Sequence, residues 1–478
     1  MFNMRATLFI VLSLTSLLRA RYQSGHTTCK EVPYEGNRGS RSIFQHESTG
    51  AQIDFVTNSG ICETTPGVNQ YSGYLSVGTD ENMWFWFFEA RRNASSAPLA
   101  AWFNGGPGCS SMVGLFQENG PCHFVNGASE PSLNPYSWNE YANMLYIDQP
   151  IGVGFSYGNN PVNSTVSAAP LVWNLLQAFY AKFPEYENRD FGIFTESYGG
   201  HYGPEFASYI QSQNAAIASG TLAGEVINLK AMGINNGWID ATIQNKAYID
   251  FSYNNTYRPL ITKTQYDNYL DAYNTRCLPA LKGCNDTVSG DAACSNAHTV
   301  CLNSIVRPLN NSEDFNVYDI RAPSNDPNPP STFVTYLNSP AVTSAIGAKR
   351  SFMANSDDVY DKFSNSGDIP RSFIPTLSNL VQSNLTTLIW AGDADWICNW
   401  FGVLAATESI EFSGAAEFKS KKEADYTVDG KPAGKYKTVD NLSWLRVYGA
   451  GHEVPYYTPE LSLQVFRQLM GGKSISST

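Results

Sequence analysis

Three segments far apart in the chain contain the residue types of a nucleophilic hydrolase site. Ser197 lies in a glycine-rich turn, His452 lies near the end of the chain, and two aspartates, Asp393 and Asp395, stand between them. A serine hydroxyl becomes a nucleophile when a histidine removes its proton and a carboxylate holds that histidine in the correct tautomer. The three segments together predict a serine hydrolase in which Ser197 is the nucleophile and His452 the base. The residues alone leave two candidates for the acid.

The elements that must position these side chains are strands that end in sharp turns. Each segment follows a strand-like run, at 189–195, 388–390 and 445–448. The order serine, aspartate, histidine along the chain is that of the α/β-hydrolase triad. The turn that exposes such a serine needs small neighbours, and Gly199 meets this need, whereas Thr195 replaces the usual glycine. Taken alone, this turn is also compatible with a surface serine.

The chain around these segments alternates short apolar runs with helical patterns. Runs such as 84–88 and 144–148 are typical of buried strands, and apolar residues between 172 and 183 recur at helical spacing before Pro184. This alternation predicts a mostly parallel sheet covered on both faces. Between about 241 and 379 the chain is rich in Asn, Ser and Pro, which indicates an insertion over the sheet.

Ten residues around the first glycine-rich loop make a family resemblance plain. The segment 102–111 reads Trp-Phe-Asn-Gly-Gly-Pro-Gly-Cys-Ser-Ser. With the segments at 114–121, 134–139, 148–157, 196–200, 236–240, 392–400 and 449–455, it resembles the serine carboxypeptidases, and within them the fungal carboxypeptidase S1 group. The resemblance covers nearly the whole chain from about residue 71 to 459. It implies an α/β-hydrolase fold with a mostly parallel central sheet and a disulfide-containing cap insertion.

The resemblance also assigns roles around the nucleophile. It makes Asp395 the acid of the triad, and it leaves Asp393 a structural role. An oxyanion hole needs two backbone N–H groups, and one should come from Tyr198, the residue after the nucleophile. The resemblance gives the other N–H group to Gly106. The loop lacks the Lys-Ser/Thr ending of a phosphate-binding loop, so phosphate binding is set aside.

An exopeptidase must also recognise the free carboxylate at the end of its substrate. The resemblance maps a hydrogen-bond network for this carboxylate onto Asn104, Gly105, Glu118 and Glu196. Two acids facing a carboxylate repel it unless at least one of them is protonated. The sequence therefore predicts an acidic pH optimum. The alternative is that both glutamates are solvated or paired with bases.

Two further residues are expected to influence specificity. Cys398 matches a free thiol near the cleft of the family. Glu453 directly follows the catalytic histidine, where many members have Met and the carboxypeptidase S1 group has Glu. An acid beside the leaving residue would attract Lys or Arg there, so we predict a preference for these C-terminal residues. The alternative is that Glu453 points to solvent or pairs with a base.

Nine cysteines indicate an oxidising compartment and at least one free thiol. The cluster between 277 and 301 favours a disulfide clasp over a zinc site, because close Cys-x-x-Cys pairs are absent from it. Cys398 is expected to be unpaired, and Cys29 and Cys109 stay unassigned. Sequence alone does not determine which cysteines pair. The predicted bridges are Cys62–Cys122, Cys277–Cys301 and Cys284–Cys294.

The start of the chain predicts a secreted protein. Arg5 precedes an apolar stretch at 6–18, and Ala20 is a candidate cleavage point. We predict a signal peptide at 1–20, a polar and irregular segment at 21–69 that is in part propeptide, and a catalytic domain at 70–478. The destination is extracellular or, alternatively, vacuolar. Expected glycosylation sites are Asn93, Asn163, Asn254, Asn285, Asn310, Asn384 and Asn441.

The resemblance implies peptide and protein C-termini as partners, and composition argues against one other class of partner. The formal net charge of −12 argues against nucleic acid, because phosphate binding needs a basic face. No cofactor, metal or membrane anchor is expected. Two rivals remain: an esterase or acyltransferase on the same scaffold, and a glycoprotein that uses the fold only for binding. The network at Asn104, Glu118 and Glu196 argues against the first, and the intact triad argues against the second.

Overall fold

The architecture comes from a computed structural model that describes residues 27–32, 40–46, 52–284 and 291–478. The predicted signal peptide and the glycosylation site Asn285 lie outside the described residues. The strands are β1 (Thr27–Val32), β2 (Ser40–His46), β3 (Gln52–Thr57), β4 (Gln70–Gly78), β5 (Glu81–Phe88), β6 (Leu99–Phe103), β7 (Cys122–His123), β8 (Ser132–Leu133), β9 (Asn143–Asp148), β10 (Tyr157–Gly158), β11 (Asp190–Glu196), β12 (Asn228–Asn235), β13 (Thr386–Gly392), β14 (Ala424–Val428), β15 (Lys431–Val439) and β16 (Leu442–Val447).

Helices cover the sheet and form the insertion. They are α1 (Thr165–Lys182), α2 (Gly199–Ala218), α3 (Ala241–Asn254), α4 (Lys263–Ala272), α5 (Leu278–Lys282), α6 (Asp291–Cys301), α7 (Arg307–Asn310), α8 (Thr332–Leu337), α9 (Pro340–Ile346), α10 (Asp357–Asn365), α11 (Ile374–Gln382), α12 (Trp400–Thr407), α13 (Ala415–Ser420), α14 (Val454–Tyr457) and α15 (Pro459–Met470). Helix α1 contains the periodic apolar residues noted in the sequence and begins with a capping box between Ser164 and Ser167.

One large β-sheet forms the centre of the fold. Its strands run in the order β1-β2-β3-β4-β5-β9-β6-β11-β12-β13-β16-β15-β14, with β10 paired to β5. The six central strands from β9 to β16 are parallel, and the outer strands on both sides are antiparallel. Strands β6 and β9 are buried along their whole length, as expected for parallel strands covered on both faces. The predicted α/β-hydrolase fold with a mostly parallel central sheet is confirmed.

The segment between the signal and residue 70 is more regular than its sequence indicated. Strand β2 pairs antiparallel with both β1 and β3, and β3 pairs with β4, so this segment extends the sheet at one edge. The expectation that it is irregular was wrong. Edge strands rely on main-chain pairing with a neighbouring strand and tolerate polar side chains, so their sequence carries only a weak strand signal.

The insertion between β12 and β13 is helical and carries disulfides. Helices α3 to α11 occupy this interval, which matches the predicted cap at about 241–379. Among the described residues there are three disulfides, two of them in the insertion, with S–S distances of 2.05, 1.99 and 1.99 Å. They join the predicted pairs Cys62–Cys122, Cys277–Cys301 and Cys284–Cys294. The cluster in the cap is therefore a disulfide clasp, and no metal-binding group of side chains occurs among the described residues.

Two structural findings bear on the expected location of the protein. Within the described ranges, no helix combines the length and hydrophobicity needed to cross a membrane. Most of the candidate glycosylation sites are exposed, namely Asn93, Asn163, Asn254, Asn310 and Asn384. Asn441 differs, because it is half-buried and its Nδ2 donates to the carbonyl oxygens of Val381 and Leu385.

Candidate active site

Ser197 stands at a sharp turn between β11 and α2. Its φ angle is 62°, in the left-handed region that L-residues rarely adopt, as expected for a strained strand-to-helix turn. Thr195 fits two positions earlier because Gly199 has no side chain. A Cβ at Gly199 would lie 2.4 Å from the Thr195 Cβ, and the Thr195 hydroxyl donates to the Gly199 carbonyl at 2.9 Å. The departure from the usual pattern at Thr195 is thus compatible with the turn.

Asp395 and His452 meet because their parent strands are neighbours. Strands β13 and β16 are parallel, so the loops after their carboxyl ends lie side by side. The Nδ1 atom of His452 is 2.9 Å from Oδ2 of Asp395, and both side chains are buried. Asp395 Oδ2 also accepts hydrogen bonds from Asn236 Nδ2 at 2.7 Å and from the Cys398 amide at 3.1 Å. These donors hold the carboxylate in the orientation that His452 requires.

Asp393 makes its hydrogen bonds with groups other than the His452 side chain. Its Oδ1 accepts hydrogen bonds from the Tyr257 hydroxyl at 2.6 Å and from the Gly449 amide at 2.9 Å. Tyr257 belongs to the cap, and Gly449 begins the loop that carries His452. Asp393 therefore joins the cap to this loop, which is consistent with a structural role.

A single cavity of about 450 Å³ contains the chemistry. Ser197, His452 and Glu196 lie on its wall, at the carboxyl ends of the central strands. The cap supplies the opposite wall with Leu281, His298, Leu302, Val306 and Tyr360. The cavity is thus bounded by polar groups near Ser197 and by apolar and aromatic side chains beneath the cap. This composition suits a peptide whose reacting end is polar and whose side chains are variable.

The glycine-rich loop after β6 packs directly against the nucleophile turn. A Cβ at Gly105 would lie 2.3 Å from the Tyr198 amide nitrogen and 2.7 Å from the Ser197 Cβ, so only glycine fits there. Gly106 follows with φ +106° and lines the same cavity as Tyr198. The two backbone N–H groups expected to form the oxyanion hole, those of Gly106 and Tyr198, therefore belong to adjoining loops.

The network expected to bind a substrate carboxylate comes together around Asn104. Asn104 Nδ2 donates to Glu118 Oε1 at 3.1 Å and to Glu196 Oε1 at 3.2 Å. The Trp102 indole donates to Asn104 Oδ1 at 2.8 Å, which fixes the orientation of the amide. Asn235 Nδ2 donates both to Glu196 Oε2 and to the carbonyl oxygen of His452. The network is thus continuous with the loop of the candidate base.

Burial changes the ionisation of this network. It raises the pKa of the Glu118 carboxyl, and it raises the pKa of Glu196 well above the ordinary range, where the charge on Glu118 adds to the effect. Both carboxyl groups accept a hydrogen bond from the Asn104 amide, so they lie close together, and two like charges this close favour a proton on one of them. Glu118 and Glu196 are therefore neither solvated nor paired with bases, since both are buried and both accept from the Asn104 amide.

Glu453 is close enough to the same network to interact with it electrostatically. Its pKa is raised well above the ordinary range by burial and by the charge on Glu118. Its Oε2 atom is buried without a hydrogen-bond partner, so Glu453 neither points freely into solvent nor pairs with a base. Glu453 also lines the cavity beside Gly106.

Two unpaired thiols flank the cavity. Cys398 is buried beside Ser197, and burial raises the pKa of its thiol well above the usual value. Cys109 is also free, and burial raises the pKa of its thiol to about 12. Cys398 and Cys109 are therefore both unpaired among the cysteines whose side chains the structure describes. The side chain of Cys29 is not one of these.

Some residues of the site had no sequence-based role. Asn235 ends β12 and Asn236 follows it, and they contact Glu196 and Asp395 respectively. The φ angle of Asn236 is 40°, typical of asparagine at a tight turn. An Asn-Asn pair after a buried strand was the available signal. Tyr318 of the cap, whose ring centroid is 5.2 Å from that of His452, had no such signal.

Comparison with known proteins settles the family. Residues 60–472 match the family described as serine carboxypeptidase. The chain belongs to the serine carboxypeptidase family. Carboxypeptidase S1 of Penicillium janthinellum is 64% identical over 424 residues, which cover 89% of this chain and 100% of that protein. A carboxypeptidase S1 homolog A of Arthroderma otae is 36% identical, over 93% of this chain and 79% of that protein.

A solved structure agrees with this assignment. Kex1, a prohormone-processing carboxypeptidase from Saccharomyces cerevisiae, is 25% identical, with a TM-score of 0.71 over 86% of this chain and 94% of that one. The resemblance first noted in the sequence is thereby confirmed, and the protein is a serine-type carboxypeptidase.

Proposed function

We propose that this serine carboxypeptidase releases C-terminal residues through Ser197, His452 and Asp395. Ser197 Oγ attacks the carbonyl carbon of the last peptide bond while His452 takes the hydroxyl proton. The oxyanion accepts hydrogen bonds from the N–H groups of Gly106 and Tyr198. His452 then donates its proton to the leaving amine, the peptide bond breaks, and an acyl-enzyme forms on Ser197. Water, activated by His452, hydrolyses this ester and restores the enzyme.

The observation that carries the proposal is the buried pair of carboxyl groups around Asn104, next to Ser197. Glu118 and Glu196 are buried and share the Asn104 amide, and Glu196 lines the cavity that contains Ser197. With a proton on the pair, it can donate a hydrogen bond to a substrate carboxylate, together with Asn104 and the backbone at Gly105. A peptide without a free C-terminal carboxylate would lose these contacts. Asp395 is preferred as the acid because Asp393 is engaged with Tyr257.

Mass spectrometry of a peptide and its C-terminally amidated form tests this function. We expect stepwise loss of residues from the C-terminus, with a strong preference for the free acid. Equal rates on both peptides would contradict carboxylate recognition, and cleavage of simple esters without any cleavage of peptides would favour the esterase alternative. The Ser197→Ala variant, prepared in parallel, controls for contaminating proteases.

The substrate KM should rise with pH for peptides that end in a free acid. At acidic pH the raised pKa values keep a proton on the Glu118–Glu196 pair. As pH rises, the pair ionises fully and repels the substrate carboxylate. The measurement is the ratio of KM for a peptide to KM for its amide across pH, because effects that are common to both substrates cancel in this ratio.

The Glu118→Gln variant provides the matched control for this prediction. It keeps a side-chain oxygen that can accept the hydrogen bond from Asn104, but only one titratable carboxyl group then remains in the pair. We expect its KM ratio to change less with pH than that of the wild type. Superimposable KM–pH curves for the acid and the amide substrate of the wild type would refute the mechanism.

Glu453 should favour C-terminal Lys and Arg, and increasingly so as pH rises. Its raised pKa means that it is neutral at acidic pH and gains its charge on ionisation. An ionised, partly desolvated carboxylate that hydrogen-bonds a cationic side chain would contribute about 1–3 kcal/mol. The measurement is kcat/KM for otherwise identical substrates ending in Arg, Lys, Leu and Glu at several pH values. Apolar residues should still be accepted.

Glu453→Met is the corresponding control, because it keeps most of the side-chain volume. The Arg-to-Leu ratio should become low and independent of pH in this variant. If its ranking of substrates equals that of the wild type at every pH, Glu453 does not determine specificity. Cys398, which borders Ser197, is proposed to shape the cavity without carrying charge, since its thiol pKa is raised.

The location and modification of the protein also remain proposals. We propose a secreted glycoprotein, extracellular or else vacuolar, that acts on peptide and protein C-termini without a cofactor. Exposure favours glycosylation at Asn93, Asn163, Asn254, Asn310 and Asn384. Asn441 is expected to be unmodified, because its Nδ2 already donates to two backbone carbonyl oxygens. Glycopeptide mapping distinguishes these cases.

A further inference from the structure

A short segment of the cap lies between the loops that carry the candidate acid and base. We call residues 316–322 the bridging loop. The Val317 carbonyl oxygen accepts hydrogen bonds from the amides of Trp396 and Ile397, at 3.1 and 3.0 Å. The Ile320 amide donates to the Ala394 carbonyl oxygen at 3.0 Å. These three bonds hold the main chain immediately before and after Asp395.

The same loop also holds the main chain at His452. The Tyr318 carbonyl oxygen accepts a hydrogen bond from the His452 amide at 2.9 Å. It lies so close to Gly451 that a Cβ there would be 2.4 Å from it. The bridging loop therefore contacts both partners of the Asp395–His452 hydrogen bond, although it belongs to the insertion and not to the sheet.

One arginine connects the loop to the His452 segment through its side chain. Arg321 donates from Nε and Nη2 to the two carboxylate oxygens of Asp319, at 2.8 and 2.6 Å. Its Nη1 donates to the Gly449 carbonyl oxygen at 2.9 Å. The guanidinium also lies over the rings of Tyr257 and Tyr457, at 5.6 and 5.4 Å from their centroids. Only a planar guanidinium can make the paired contact with Asp319 and still reach Gly449.

We propose that Arg321 is a positioning residue for the triad, acting through Gly449 and the bridging loop on the geometry of Asp395 and His452. Arg321 does not line the cavity, so it does not contact substrate. The cap then has a second task besides shaping the cleft: it maintains the alignment of the acid with the base. The inference rests on the proposed triad, because it concerns the residues through which that triad is held.

The test compares Arg321→Met with Arg258→Met in the full-length enzyme. Arg258 is a matched control, since it also lies in the cap, is similarly exposed and pairs with Glu313 at 2.7 Å. Loss of alignment by a fraction of an ångström to 1 Å lowers rates by up to about 100-fold. We therefore expect kcat of Arg321→Met to fall roughly 10- to 100-fold with KM within about twofold, and Arg258→Met to keep the wild-type kcat.

Two further measurements separate positioning from a loss of folding. Arg321→Lys keeps the positive charge but not the planar guanidinium, so it should recover only part of the kcat that Arg321→Met loses. The strongly deshielded proton NMR signal of the His452–Asp395 hydrogen bond should shift or broaden in Arg321→Met and persist in Arg258→Met. Thermal melts select variants that are folded at the assay temperature, and Arg321→Lys replaces Arg321→Met if the latter does not fold.

The kcat values of the Arg321 and Arg258 variants decide whether Arg321 positions the triad. It is overturned if folded Arg321 variants keep the wild-type kcat, or if Arg258→Met loses as much kcat as Arg321→Met, since the effect would then be general to the cap. Ser197→Ala assayed alongside separates this from failure of the proposed function. An inactive Ser197→Ala enzyme with unaffected Arg321 variants refutes the positioning role alone, whereas an active Ser197→Ala enzyme refutes the triad itself.

Discussion

Ser197→Ala and His452→Ala should each lower kcat by roughly 10⁴-fold or more, because triad members act as a unit. Alanine at 197 leaves no oxygen to attack the substrate carbonyl. Alanine at 452 leaves no group to take the serine proton or to protonate the leaving amine. The measurement is kcat for release of a C-terminal residue, with KM and thermal stability recorded for the same preparations.

Matched substitutions away from the cavity control for this prediction. Ser420→Ala changes the last residue of helix α13, and His123→Ala changes a residue of strand β7. Both should keep kcat close to that of the wild type. The double variant Ser197→Ala/His452→Ala should be no slower than either single variant, since the two residues serve one step. A Ser197→Ala enzyme that retains more than about one hundredth of kcat would contradict the assignment, because triad loss costs far more.

Asp395→Asn should also be severe, with a loss in kcat of roughly 10⁴-fold. Asp395 Oδ2 accepts from His452 Nδ1 at 2.9 Å, and a carboxylate there selects the tautomer with the proton on Nδ1. An amide can present its NH₂ group to the same atom and favour the wrong tautomer. Since asparagine has the same size, the surrounding packing is retained. The assay is kcat in the acidic range where KM for peptides is lowest.

Asp393→Asn is the internal control for the acid. Its partners are the Tyr257 hydroxyl and the Gly449 amide, and an asparagine side-chain oxygen can still accept from both. We expect a loss of kcat much smaller than that of Asp395→Asn, with some loss of thermal stability. If Asp393→Asn proves the costlier change, the acid has been assigned to the wrong residue.

Much of the catalytic region is determined by the sequence alone. The nucleophile turn, the glycine-rich loop and the two later turns each follow a buried strand, so their chemistry is encoded by residues that are adjacent in the chain. Parallel strands place their carboxyl ends on one edge of a sheet, which predicts that these turns meet. The alternation of elements and the composition of the insertion likewise predicted the sheet and the cap.

Other features depended on which way side chains point after the chain has folded. Asp393 and Asp395 are two residues apart, and their sequence does not tell which one reaches His452. The structure separates them because Tyr257 of the cap and the Gly449 amide engage Asp393. The surroundings of Glu453 are decided in the same way, since only the folded chain buries it near the charge of Glu118, and both effects raise its pKa.

The contacts of the bridging loop left no trace in the sequence. They are made largely by backbone groups, such as the carbonyl oxygens of Val317 and Tyr318, which every residue type has. The antiparallel strands at the N-terminal edge were missed for a related reason, because their pairing is also between main chains. Sequence specifies side-chain chemistry and the local turns that present it. Only the tertiary structure decides which distant backbone and side-chain groups approach one another, because that depends on the packing of the whole chain.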